Sequence, residues 1–121
     1  MTTTKYLLLY RSPVGAPRSA PSPEAMQQAM QAWNAWKTKF QDEILDMGDG
    51  LTSVGAVCRS TVVTDGPYIE SKEVIGGYMF VATSSLERAI QIAKEGPMTN
   101  EPGASVEIRA LAGRAQKISS T

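Results

Sequence analysis

Histidine is absent from this 121-residue chain, and cysteine occurs once, at Cys58. Those two counts remove imidazole acid–base chemistry, Ser-His-Asp and Cys-His arrangements, and nearly every zinc site. A lone thiol closes no internal disulfide, so a reducing compartment is the expected setting. An excess of one charge sign is also missing: twelve Lys and Arg stand against twelve Asp and Glu, a formal net charge of zero. Nucleic-acid binders gather basic residues on one face, and no direct nucleic-acid binding is expected here. Long apolar runs are lacking as well. Tyr6-Leu7-Leu8-Leu9-Tyr10 is too short for a signal peptide's apolar region, and Pro13, Pro17 and Pro21 break anything longer. No stretch approaches the ~18 apolar residues of a membrane span. No membrane partner and a cytoplasmic location are therefore expected.

What is there suits one domain. Hydrophobic residues make up 42% of the chain and charged residues 20%, enough for a core that needs no disulfide or metal. The domain is expected over residues 1–112, with a polar, aperiodic and flexible tail at 113–121. Lys5 to Arg11 reads as a buried strand ended by Ser12-Pro13. A proline-rich loop follows, and Ser22-Pro23-Glu24 then supplies a cap, a first-turn proline and a dipole-matched acid for a helix. Met26, Met30, Trp33, Trp36, Phe40, Ile44 and Met47 recur every three or four residues. That spacing predicts one helix of about seven turns at ~3.6 residues each, with Gly48 as its left-handed terminator.

Val57-Cys58 and Val62-Val63 suit a short strand, and Asp65-Gly66-Pro67-Tyr68 is a turn by its chemistry. Val74 to Thr83 reads as a strand after the Gly76-Gly77 pair. Ser84 and Glu87 have the spacing of a capping box, opening a helix striped by Leu86, Ala89, Ile90 and Ala93 and stopped at Gly96-Pro97. Ala104 to Leu111 alternates, with Val106, Ile108 and Ala110 on one side and Glu107, Arg109 and Leu111 on the other. The order β, long α, β, β, α, β predicts an α+β fold of the ferredoxin-like kind, an antiparallel sheet with both helices on one face. Such a sheet leaves its second face bare. Tyr6, Leu8 and Tyr10 lie on one side of the first strand, Leu7 and Leu9 on the other, so an apolar row stays uncovered either way. Rows of that kind mark interfaces, and a two-fold homodimer packed sheet to sheet is expected.

The segment from Val63-Thr64-Asp65-Gly66-Pro67-Tyr68 to Glu70-Ser71-Lys72-Glu73-Val74-Ile75-Gly76-Gly77-Tyr78 resembles the DGPF signature of the YCII-related domain proteins, with Tyr68 in place of phenylalanine and Ser71 in place of threonine. Tyr6-Leu7-Leu8-Leu9-Tyr10 and Ser105-Val106-Glu107-Ile108-Arg109 are similar to that family in place and kind, so the resemblance spans about residues 5 to 111. It implies a ferredoxin-like fold of the dimeric α+β barrel type. It implies little about chemistry. Some DGPF-type proteins carry labels linking them to extracytoplasmic-function sigma factors, a regulatory association that no helix-turn-helix or basic surface supports here. Other YCII-related proteins pair a histidine with an aspartate in a cleft, and one branch catalyses dehydrochlorination. This chain has no histidine, so that pair does not carry over.

Two clusters remain as candidates. Asp65, Glu70, Lys72 and Glu73 lie near Tyr68 and Tyr78 in sequence and offer carboxylates, an amine and phenols. The plain reading makes Asp65 a turn residue and Lys72 with Glu73 a solvated pair. The functional reading makes Asp65 and Tyr78 catalytic candidates, with Glu70 and Lys72 at the edge of a ligand cleft. Gly76-Gly77 suits a bulge, or a place where backbone approaches a ligand or a neighbouring strand. In the second cluster Tyr10, Arg11, Glu107 and Arg109 are expected to share the non-helical face, where an arginine beside aromatics holds a carboxylate or a planar ring. Trp33 and Trp36 are read mainly as core, and Cys58 as a buried small residue. No cofactor and no metal are expected. The sequence favours a small dimer binding a small molecule or a protein partner in the cleft between sheet and helices. An enzyme of the lyase or isomerase kind, using Asp, Glu or Tyr in place of the missing histidine, is the alternative.

Overall fold

A computed structural model describes residues 2–14, 21–67 and 73–113. Strand β1 spans Thr4–Pro13, helix α1 Pro23–Lys39, β2 Ile44–Gly50, β3 Ala56–Cys58, β4 Val63–Asp65, β5 Glu73–Thr83, helix α2 Leu86–Lys94 and β6 Ser105–Ala110, with a one-turn 3-10 helix at Pro97–Thr99. One antiparallel sheet runs in the order β2-β5-β1-β6, and β3 pairs with β4 in a separate two-stranded sheet. The result is a mixed α+β fold with two helices of more than one turn among the described residues. Four strands, rather than the expected two, stand between those helices.

Strand alternation assigns the faces. Tyr6 and Leu8 of β1 oppose Val81 and Met79 of β5, and all four are buried. Trp36 and Phe40 at the end of α1, and Ala89, Ile92 and Ala93 of α2, close over them in one apolar cluster. Both helices therefore cover the same face of the sheet. Each large side chain taken fully out of water there contributes ~1.5–3 kcal/mol before entropy is counted. The Trp36 indole donates across 2.9 Å to the Ile92 carbonyl, which ties α1 to α2 and satisfies a buried N–H.

The single long helix is corrected. Ser22 caps α1 as its chemistry predicts, accepting from the Ala25 N–H at 3.1 Å, but the helix stops at Lys39 and Phe40 caps its end. The Glu43 and Ile44 amides turn back onto the Phe40 carbonyl at 2.9 and 3.0 Å, and Ile44 enters β2. Ile44 and Met47 fit a helical spacing and a bulged strand equally well. Pairing with β5 decides for the strand. Gly48 is left-handed, at φ 64°, yet it terminates no helix: a Cβ there would lie 1.8 Å from the Tyr78 carbonyl oxygen, so glycine is required where β2 bulges against β5. The capping residue of α2 is also corrected, to Ser85, whose hydroxyl accepts from the Arg88 N–H at 3.1 Å. Cys58, expected to be buried, is exposed in the short β3–β4 hairpin, which is too small to enclose it.

Candidate functional site

β1 and β5 lose register at one place. Tyr10 pairs with Gly77, but Arg11 pairs with Ile75, so Gly76 is the extra residue of a bulge. Gly77 faces the core side and gives its space to Tyr10. A Cβ on it would stand 2.9 Å from Tyr10 Cδ2 and 3.2 Å from the Asp49 carbonyl oxygen. Gly76 has no such neighbour; the nearest atom to a Cβ there is Ser12 Oγ at 4.0 Å. The glycine pair thus has two jobs, one seating an aromatic ring and one leaving a wall open.

That wall belongs to a cavity of about 210 Å³ at the end of the sheet. Tyr10, Arg11 and Ser12 of β1 and Gly76 of β5 form one side, Trp33 of α1 another, and Pro97, Met98, Glu101 and Ala104 close it from the segment between α2 and β6. Tyr10 and Trp33 stand 6.5 Å apart between centroids, with their rings tilted by 52°. Behind them Trp36 and Phe40 extend the aromatic column at 5.7 and 6.2 Å. The cavity is therefore backed by the core. Gly103, at φ 78°, brings the closing segment against Pro13: a Cβ there would lie 2.7 Å from Pro13 Cγ.

Tyr10 is the unusual member. Its hydroxyl oxygen is buried and has no hydrogen-bond partner among the described residues. Burying such a group unpaired costs ~1–3 kcal/mol. Burial also pushes the phenol up to about 12, so Tyr10 is a neutral phenol at physiological pH.

The opposite face of the sheet carries the other members of the second cluster. Register sets Leu9 between Tyr78 and Glu107, and Leu7 between Phe80 and Arg109. Arg11 shares that side and reaches Glu107 at 3.5 Å, while Arg109 meets the same carboxylate at 3.4 Å. Arg11, Glu107 and Arg109 do gather, but Tyr10 points to the helical side, away from them, because β1 alternates without interruption against β6. Tyr78 packs edge-on to Phe80 at 6.0 Å on the outer face. Asp65 is exposed, at the end of β4 opposite Ala56. Glu70, Lys72 and Tyr68 lie outside the described residues. The described candidates thus divide among the cavity, the outer face and the hairpin.

Sequence reasoning missed Ser12, Pro97, Met98, Glu101 and Ala104 as site residues. The signal available was the run of Gly and Pro between Gly96 and Gly103, a loop held by a rigid scaffold. It also missed an ion-pair network on the α2 side. Arg88 Nη2 and Nε donate to Glu43 at 2.7 and 3.0 Å, and the Thr83 hydroxyl donates to the same carboxylate at 2.5 Å. Arg88 holds the Glu43 carboxyl below its ordinary range, against the opposing effect of burial and with help from Thr83. That network ties α2 to the turn after α1, and Arg88 also lies over the Phe40 ring at 5.1 Å. No group of three potential metal ligands occurs among the described residues. None of the described helices is long and apolar enough to cross a membrane.

The sequence profile of the YCII-related domain matches residues 6–112 of the chain. An uncharacterized protein of Rhizobium meliloti (strain 1021) is 36% identical over 52 residues, a stretch that covers 43% of this chain and 42% of that relative. The chain thus matches less than half the length of this curated relative.

Proposed function

This chain belongs to the YCII-related domain family, and from that premise we propose that it binds a small molecule in the cavity between Tyr10 and Trp33. The observation that carries the reading is the cavity itself: two aromatic walls, a bulge that leaves Gly76 bare, and rim groups Ser12 and Glu101. Pockets for small ligands combine aromatic and aliphatic walls with a few placed polar groups; here Tyr10, Trp33, Pro97 and Met98 stand beside Arg11, Ser12 and Glu101, a mixed polar and apolar lining. Its volume falls below the ~300–1,000 Å³ usual for drug-sized ligands, so the ligand is small. Binding is favoured over acid–base catalysis because the catalytic candidates Asp65 and Tyr78 are not among the residues that line this cavity.

The fold reading that accompanies it is ferredoxin-like, of the DGPF-type subgroup and the dimeric α+β barrel type. The second copy would cover Leu7, Leu9, Tyr78 and Phe80, the apolar row on the face that neither helix reaches.

A thermal-shift screen of small amines, amides, phenols and carboxylates tests the binding reading. Compounds that raise the melting temperature of the wild type should lose their effect in Gly76→Val, which puts a branched side chain on the cavity wall beside Ser12. A screen with no stabilising compound, or hits indifferent to Gly76→Val, contradicts it.

A further inference from the structure

Resting on the cavity reading, we infer that the ligand is a small organic cation, an alkylated ammonium head held in the cavity against Tyr10 and Trp33 and balanced by the Glu101 carboxylate. Three observations converge. First, Tyr10 and Trp33, packed 6.5 Å apart at 52°, both line the cavity. Aromatic faces carry negative potential and attract a cation within ~6 Å of their centroids, Trp most strongly. Second, the cavity carries in its lining one carboxylate, Glu101, and one guanidinium, Arg11. Arg11 borders it, but its guanidinium is engaged by Glu107 on the opposite side of the sheet. Glu101 makes no ion pair among the described residues and lies at the rim. An anionic ligand would face that carboxylate with no free cation among the described lining residues to offset it. Third, Pro97, Met98 and Ala104 give the lining an apolar side that suits methyl groups, with the Ser12 hydroxyl and the bare Gly76 completing it.

The alternative, a carboxylate or planar ring held by an arginine, would draw on Arg11, whose Nη2 stands 3.5 Å from Glu107.

The test uses three compounds of one shape: choline, its neutral isostere 3,3-dimethylbutan-1-ol, and 3,3-dimethylbutanoate. Affinities are measured by calorimetry and by quenching of tryptophan emission. Choline should bind tighter than the neutral alcohol by roughly two- to thirtyfold, the range of a cation–π contact from exposed to desolvated, and the carboxylate should be weakest. Glu101→Gln, on an exposed loop residue, should weaken choline and leave the alcohol unchanged. Equal binding of choline and the alcohol, or tighter binding of the carboxylate, overturns the cation assignment while leaving the cavity as a binding site. No binding by any of the three overturns the assignment. If the broader screen is silent too, the cavity reading falls with it.

Discussion

The ring of Tyr10 lies across Gly77 so closely that a single added carbon would stand 2.9 Å from its Cδ2. The neighbouring Gly76 faces only Ser12 Oγ, at 4.0 Å. Gly77→Ala must therefore displace Tyr10 or spread β5 from β2, and overpacking of that kind costs ~1–3 kcal/mol. Gly76→Ala should leave stability within ~0.5 kcal/mol of wild type. Urea denaturation of the two variants checks the contrast; equal losses would mean the ring is not seated as described.

Tyr10→Phe removes a buried hydroxyl that has no partner among the described residues. The variant should be as stable as wild type or up to ~1–3 kcal/mol more stable, the cost of leaving such a group unpaired. A loss of stability on chemical denaturation would show that the hydroxyl is satisfied.

The same residue sets an alkaline dependence. Burial raises the Tyr10 phenol from 10.0 to about 12 in the folded protein, so the folded state favours the neutral form. That stabilisation is complete below the unfolded value and is lost as pH rises from about 10 through about 12. Absorbance titration of phenolate should show a late step that disappears in Tyr10→Phe.

Acid acts at the other end of the fold. Arg88 lowers the Glu43 carboxyl, and Thr83 assists against the opposing effect of burial. A depressed carboxylate stabilises above its unfolded value and loses that contribution as pH falls through its folded value. Wild type should be more stable than Glu43→Gln at pH 7, and the gap should close in acid. A gap that persists unchanged at low pH would assign the effect to packing.

Leu9→Glu places a charge in the apolar row on the outer face, opposite Tyr78 and Glu107. Sedimentation equilibrium should give twice the chain mass for wild type and the chain mass for the variant. A monomeric wild type at micromolar concentration removes the dimer.

Much of the fold was legible because periodicity survives wherever one face is buried. Tyr6 and Leu8 alternate, and Val106 and Ile108 pack inward. On α2 the expected stripe is corrected, since Ala89 and Ala93 are buried together with Ile92 while Leu86 and Ile90 are exposed. The α1–β2 boundary was not legible, since Ile44 and Met47 satisfy both periods and only pairing with β5 separates them. The site was half legible. Gly76-Gly77 marked the place, and a bulge was among its readings, but the chain pairing that turns Tyr10 inward and Arg11 outward is a tertiary fact. Glu101 and Met98 come from a loop whose residues carry no pattern, and only the fold brings them to Trp33.

The most direct measurement is crystallographic fragment screening of the wild-type protein with small amines, amides and carboxylates. Density for bound fragments between Trp33, Tyr10 and Met98, absent from Gly76→Val crystals, is the predicted result. Fragments found only elsewhere on the molecule, with this cavity empty at saturating concentration, would contradict the account.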